Sequence, residues 1–153
     1  MRLVGSWIVL LLLGCGGGEG SSGTGGISVE GAWVRAMPAL SDSDGSGGRS
    51  AVYLHLKNVG DSTVWLVGGS TPVAAAVEVH ESRMEGDVMR MRQMENLPLP
   101  PGETIELSPG GLHLMLLGLT RSLLDGEEVE LTLRFEGAPD LAMTVPVRSS
   151  GSG

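Results

Sequence analysis

Side chains that can bind a soft metal ion are concentrated between residues 80 and 115. This stretch holds two of the chain's three histidines and five of its eight methionines. The candidate ligands are His80, Met91, His113 and Met115. Imidazole is a borderline ligand and thioether a soft one, and together they suit Cu(I) far better than zinc, magnesium or calcium. The stretch therefore predicts a copper site.

The apolar segment LHLMLL, residues 112–117, must position two of these ligands. Its composition predicts a β-strand, in which residues two apart point to the same face. His113 and Met115 then share one face, and their leucine neighbours face the core. Because the strand backbone already orients both side chains, the pair supplies two ligands at little conformational cost.

A predicted hairpin must position the other two ligands. In AVEVHE, residues 76–81, the two valines alternate with Glu78 and His80, which therefore face away from the core. Residues 85–87 have turn chemistry, so this strand should pair with residues 88–93, which carry Met91.

The alternation within residues 88–93 leaves the direction of Met91 open. Met89 and Met91 share one face, and Arg90 and Arg92 share the other. If the arginines face solvent, the methionines belong to the core, where methionine is a common gap-filler. The remaining methionines of this region, Met84, Met89 and Met94, are either spare ligands during copper transfer or simple filler.

The remaining sequence predicts an all-β fold. About eight short alternating segments are separated by turn signals, and no segment has a helical period, which favours an antiparallel Greek-key β-sandwich. Two stretches are predicted to lie outside the strands. Ser41–Ser50 is wholly polar and predicts a disordered insertion. Leu97–Glu103 contains three prolines and predicts an irregular connection.

The ends of the chain predict export and anchoring. Residues 1–14 resemble a lipoprotein signal peptide, with a positive start and an apolar run too short to span a bilayer. Cys15 is the only cysteine and sits where a lipobox cysteine is lipidated. Residues 15–26 then form a Gly/Ser-rich tether, residues 27–148 the domain and residues 149–153 a flexible tail. These features place the protein in the bacterial cell envelope, facing the periplasm and attached to the membrane through its lipid.

Ligand spacing also points to a known family. His80, Met91, His113 and Met115 are separated by ten, twenty-one and one residues, which resembles the H-x10-M-x21-H-x-M signature of periplasmic PCu(A)C copper chaperones. The segments AWVR and LSPGGLHLML are similar to the same family, and the resemblance covers residues 27–147. It implies a cupredoxin-like sandwich that binds Cu(I) through these four residues and delivers it to copper enzymes such as cytochrome c oxidase, or to another copper chaperone. The chain ends in SSGSG, without the His/Met-rich tail of some relatives, which predicts one copper per chain.

Other classes of function fit less well. The net charge of −8 argues against a nucleic-acid partner, which needs clustered Lys and Arg. An electron-transfer cupredoxin requires a cysteine ligand, and the predicted mature domain has none beyond the anchoring Cys15. The sequence offers no recognisable set of a nucleophile with its general base, so an enzymatic function is not predicted. A metal-free β-sandwich lipoprotein with a structural or adhesive role is the alternative that stays open.

Overall fold

Alternating apolar and polar residues build eleven β-strands in the part of the chain that the structure describes. That part of this computed structural model comprises residues 22–24, 26–38 and 47–149. The strands are β1 (Ser22–Thr24), β2 (Ile27–Arg35), β3 (Gly48–Asn58), β4 (Val64–Ser70), β5 (Ala74–Glu85), β6 (Val88–Met94), β7 (Leu97–Leu99), β8 (Thr104–Leu107), β9 (Leu112–Leu119), β10 (Glu128–Glu136) and β11 (Leu141–Arg148). No helix occurs among the described residues, so the predicted all-β class is confirmed.

Seven of the strands close into a barrel-like ring. The order around the ring is β2-β11-β10-β4-β5-β9-β3, and β3 pairs back onto β2. Every pairing in the ring is antiparallel except β11 with β2. Strand direction cannot alternate all the way round a ring with an odd number of strands, so one parallel pair is unavoidable. The predicted antiparallel Greek-key arrangement therefore holds with this single exception.

The core lies inside this ring and is made almost entirely of Leu and Val side chains. In β9, Leu114 and Leu116 are buried, as the alternation predicts. In β10, Val129, Leu131, Leu133 and Phe135 point inward at alternate positions. Burial of each such side chain stabilises the fold by about 1.5–3 kcal/mol. The continuous apolar interior leaves three of the predicted ligands, His80, His113 and Met115, on the outer face of β5 and β9.

The three-proline segment does contain a strand, and the prediction of a wholly irregular connection is wrong there. Leu97 and Leu99 are buried, and β7 pairs with β4 through the register Trp65 to Pro98. Pro98 is exposed. Among the described strands β7 pairs with β4 alone, so one side of its backbone needs no ladder hydrogen bonds, and proline is tolerated on such an edge strand.

Part of the predicted polar insertion, Ser41–Ser50, belongs to a strand. Gly48–Ser50 belongs to β3 and pairs with β9, whereas residues 39–46 lie outside the described part. Ser50 is buried and donates its hydroxyl to the Arg35 carbonyl at 2.6 Å. This hydrogen bond lets a polar residue enter the sheet without an unsatisfied group.

The predicted leader and tail fall mostly outside the described residues. Residues 1–21, including Cys15, and residues 150–153 are not described. Ser22–Thr24 pairs with β2, so strand pairing begins within the range predicted as a tether. Within the described ranges, none of the secondary structure is a helix long and apolar enough to cross a bilayer.

Candidate metal site

Strand register brings the four predicted ligands onto one face of three adjacent strands. His80 of β5 is directly opposite His113 of β9, and Ser82 of β5 is directly opposite Met91 of β6. Residues two apart share a face, so His80 and Met91 lie on the same side as His113 and Met115. The three strands lie side by side in the order β6-β5-β9. Local alternation predicts which residues share a face within a strand, and the register aligns the three strands.

The two imidazole rings are neighbours. Their centroids lie 6.0 Å apart, with planes inclined by 38°. The His80 side chain is 13% exposed and His113 is buried. Among the described residues, no group of three or more His, Cys, Asp or Glu side chains is placed to hold a metal. The thioethers of Met91 and Met115 line the same pocket as His113 and could complete a site here, and their sulfur favours a soft ion.

His80 has one ring nitrogen available to bind a metal ion. Its Nε2 lies 2.9 Å from a carboxylate oxygen of Glu78, two residues earlier on the same face. A carboxylate accepts hydrogen bonds, so Nε2 carries the proton. Nδ1 is buried and has no hydrogen-bond partner among the described residues. A carboxylate that holds one imidazole nitrogen while the other faces a metal is the usual second contact of a histidine ligand.

His113 has the opposite arrangement. Its Nδ1 lies 3.0 Å from the Gly111 carbonyl, which can only accept, so Nδ1 carries the proton and Nε2 keeps its lone pair. Burial lowers the pKa of His113 below its ordinary value of 6.5; the hydrogen bond to Gly111 acts in the other direction, and the charges of His80 and Arg35 add to the lowering. The neutral imidazole, which is the form that binds metals, is therefore favoured at neutral pH.

A glycine turn fixes the position of His113. The Gly111 carbonyl also accepts the backbone N–H of Ser82 at 3.0 Å, which ties the turn before β9 to β5. Gly110, in the same turn, has φ of +83°, a conformation that other residues rarely adopt. The turn thus connects the strand that carries His80 to the residue that orients His113.

Met91 lies at the open side of the site. It lines a pocket of about 210 Å³ together with His113 and Met115. Its exposed fraction is 50%. Of the two directions that the alternation left open, the one that put Met91 in the core, with the arginines facing solvent, is wrong. Among the described strands, none lies beside the outer half of the β5–β6 hairpin, and the residues of that half are exposed on both faces.

The far wall of the pocket is basic and aromatic. Arg35 and Arg49 line it with Tyr53. The Arg35 guanidinium donates to the Tyr53 hydroxyl at 2.6 Å, and the Trp33 and Tyr53 rings are 4.7 Å apart. Sequence reasoning did not identify Glu78, Gly111 or this wall as parts of the site. The spacing of Glu78 two residues before His80 was the one local signal that could have indicated its role.

Comparison with known proteins identifies the family of this chain. The family described as "Putative lipoprotein LpqE-like" matches residues 27–147. The chain belongs to the LpqE-like family. A curated relative of this family member is the "Putative lipoprotein Lxx21020" of Leifsonia xyli subsp. xyli, which is 32% identical over 124 residues, spanning 80% of this chain and 70% of the relative.

Solved structures share the fold. The solution structure of CuI-DR1885 from Deinococcus radiodurans is 31% identical, with a TM-score of 0.60, over 79% of this LpqE-like chain and 77% of that one. The copper-bound PCuAC domain from PmoF2 is 23% identical, with a TM-score of 0.68, over 85% of this chain and 98% of that domain. The latter likeness shows the fold alone. The predicted PCu(A)C resemblance and cupredoxin-like fold are confirmed.

Proposed function

We propose that this protein is a copper chaperone that binds one Cu(I) through His80, Met91, His113 and Met115. The supporting observation is the complementary arrangement of the two imidazoles. In each ring one nitrogen donates a hydrogen bond to an acceptor, and the other nitrogen is left to bind the metal ion. A buried nitrogen without a partner, such as Nδ1 of His80, costs about 1–3 kcal/mol, a cost that a bound cation would remove.

The ligand set suits transport better than storage. All four ligands are neutral when Cu(I) is bound, and thioethers do not form disulfides in an oxidising compartment. Thiolates would bind Cu(I) more tightly but are easily oxidised. Met91 is half exposed, whereas His113 is buried, so an acceptor can displace Met91 first. Transfer then proceeds by stepwise exchange of ligands around an ion that stays Cu(I).

The proposed setting is the periplasmic side of the bacterial envelope. Residues 1–14 would direct export, and Cys15 would carry the lipid that anchors the mature chain. The recipient would be a copper protein of the same compartment, such as the copper-binding subunit of cytochrome c oxidase or another copper chaperone. The proposed role is one of binding and delivery, without chemical conversion of a substrate.

The test is an anaerobic titration of the full-length protein with Cu(I) under a competing chelator. One equivalent should bind tightly to the parent, and His113→Ala and Met91→Leu should each weaken that binding. Met143→Leu, in β11, is the matched control and should bind like the parent. Equal, weak binding by parent and variants would contradict the proposal and would favour the metal-free structural lipoprotein.

A further inference from the structure

Three methionines of the β5–β6 hairpin are exposed on the face that leads to the proposed copper site. Their exposed fractions are 55% for Met84, 53% for Met89 and 50% for Met91. Large apolar side chains at half exposure contribute little to the core. The hairpin turns at Gly86, and its strands pair as far as His80 with Gln93 and Val79 with Met94 nearer the barrel.

The register places the three sulfur-bearing side chains together. Met84 is directly opposite Met89, and Met91 follows two residues later on the same face, opposite Ser82. The Cβ atoms of directly opposed residues lie about 4.5–5.5 Å apart, and diagonal neighbours lie about 7–8 Å apart. The methionine side chain is unbranched and has three rotatable bonds, so the sulfur atoms of these three residues can converge on a single ion.

The opposite face of the hairpin has different chemistry. There Arg92 pairs with Glu81 at 3.2 Å and Arg90 pairs with Glu85 at 2.8 Å. The fourth methionine of the region, Met94, lies on that face opposite Val79 and packs against the core. Ion pairs therefore occupy one face, and thioethers occupy the face continuous with His80.

We propose that Met84, Met89 and Met91 form a second, weaker Cu(I) site at the tip of the hairpin. This inference rests on the proposed copper-binding function and deepens it. The tip site captures Cu(I), and Met91, which belongs to both sites, carries the ion to His80, His113 and Met115. During this step, bonds from Cu(I) to the Met84 and Met89 sulfurs break as bonds to the imidazole nitrogens form. No electron or proton is transferred.

Substitution by leucine can distinguish metal binding by these methionines from a role in docking a partner protein. Leucine keeps the apolar surface of methionine but has no sulfur. Replacement of Met84 and Met89 by leucine therefore removes the Cu(I) ligands while it preserves any apolar contact with a protein partner. Met94→Leu is the matched control, because it changes a methionine of the same hairpin on the other face.

The experiment uses the full-length protein under anaerobic conditions, with Cu(I) itself as the probe. The background is His113→Ala, which disables the main site. We expect weaker binding to remain in that variant, and we expect Met84→Leu with Met89→Leu to raise its Kd at least about tenfold, while Met94→Leu leaves it unchanged. With His113 intact, the double leucine variant should keep the tight affinity and load copper more slowly from a chelator.

The outcomes separate this inference from the function on which it rests. If His113→Ala binds no Cu(I), or binds it equally well after the two leucine substitutions, the tip site does not exist, and tight binding by the parent would still support the chaperone. If the parent lacks tight binding but shows weak binding that depends on Met84 and Met89, the chaperone proposal fails and the tip site stands.

Discussion

Individual hydrogen bonds select the nitrogen that each histidine offers. His80 uses Nε2 for Glu78, and His113 uses Nδ1 for the Gly111 carbonyl. The imidazoles are opposite each other in neighbouring strands, yet opposite ends of their rings are held. Both lone pairs that remain belong to side chains on the same face. At the scale of the residue, the site is thus prepared by acceptors that are not themselves ligands.

Removal of the Glu78 carboxylate should weaken copper binding without unfolding the protein. Glu78→Ala releases the ring of His80 and its tautomer, and loss of such a contact typically lowers metal affinity about 10–100-fold. Glu78→Gln, which keeps an acceptor, should retain most of the affinity. The measurement is Cu(I) competition at constant pH. Equal affinities for the alanine variant and the parent would show that Glu78 does not orient His80.

Acid should remove the imidazole of His113 from copper only below the ordinary histidine range. Burial lowers the pKa of His113 below 6.5, so this ring stays neutral and able to bind until the pH falls through that lowered value. Between the lowered pKa and 6.5 the unfolded chain binds more protons than the folded one, so stability also declines as pH falls through this window. An NMR titration of His113 beside chemical denaturation tests both statements. A His113 pKa above 6.5 would contradict them.

At the scale of the element, two features of the sheet create the site. The outer part of the β5–β6 hairpin extends past the last pairing of β5 with β9, at Glu81 and Leu112. No third strand of the described part pairs with this two-stranded ribbon, which explains why side chains on both its faces are exposed. The glycine turn before β9 is joined to this hairpin by the hydrogen bond from the Ser82 backbone N–H to the Gly111 carbonyl. One element therefore presents methionines to solvent, and the other fixes a histidine.

Substitution of the turn glycine should separate stability from copper affinity. Gly110 and Gly102 have φ of +83° and +76°, and an added Cβ would meet no atom within 4 Å at either position. Alanine at each should therefore cost a similar amount, about 1–2 kcal/mol, through backbone strain alone. Only Gly110→Ala should also lower Cu(I) affinity, because its turn orients His113. Thermal unfolding and Cu(I) competition on both variants provide the comparison; equal loss of affinity in both would contradict the role of the turn.

Replacement of the buried Asn58 should destabilise the fold and leave Cu(I) affinity unchanged. Asn58 donates to the carbonyls of Ser62 and Leu99 and accepts from Gly60. It lies seven positions along β3 from Ala51, the partner of Met115, a distance of about 23 Å along the strand. Asn58→Ala should lower the free energy of unfolding by about 2–3 kcal/mol, since buried backbone groups lose partners. Denaturant unfolding measures this, and unchanged Cu(I) affinity is the control.

At the scale of the whole molecule, a closed ring of strands carries the site on its outer face. Closure removes most free sheet edges, and the parallel contact between β11 and β2 joins the last strand to one of the first. The core that results does not include the four predicted ligands, so we expect the fold to persist with or without a bound ion. The net charge of −8 adds a negative field that favours approach of cations.

Loss of the predicted anchor should change location and leave copper binding intact. Cys15→Ser removes the thiol that would carry the lipid, so the chain should move from the membrane fraction to the soluble fraction of the cell envelope. Cu(I) affinity of the purified variant should equal that of the parent, because the ligands lie in the domain after residue 27. Retention of the variant in the membrane fraction would contradict lipid anchoring through this residue.

The sequence by itself determined the ligand types, the strand character of their segments and the face that each ligand shares within its strand. These follow from local alternation, whose period of two is fixed by backbone geometry. The tertiary structure alone decided the direct pairing of His80 with His113, the ring nitrogens left free, and the exposure of Met91. It also made a strand of a proline-rich segment. Such features depend on the register between distant segments and on which strands lack a neighbour, and local pattern does not specify either of them.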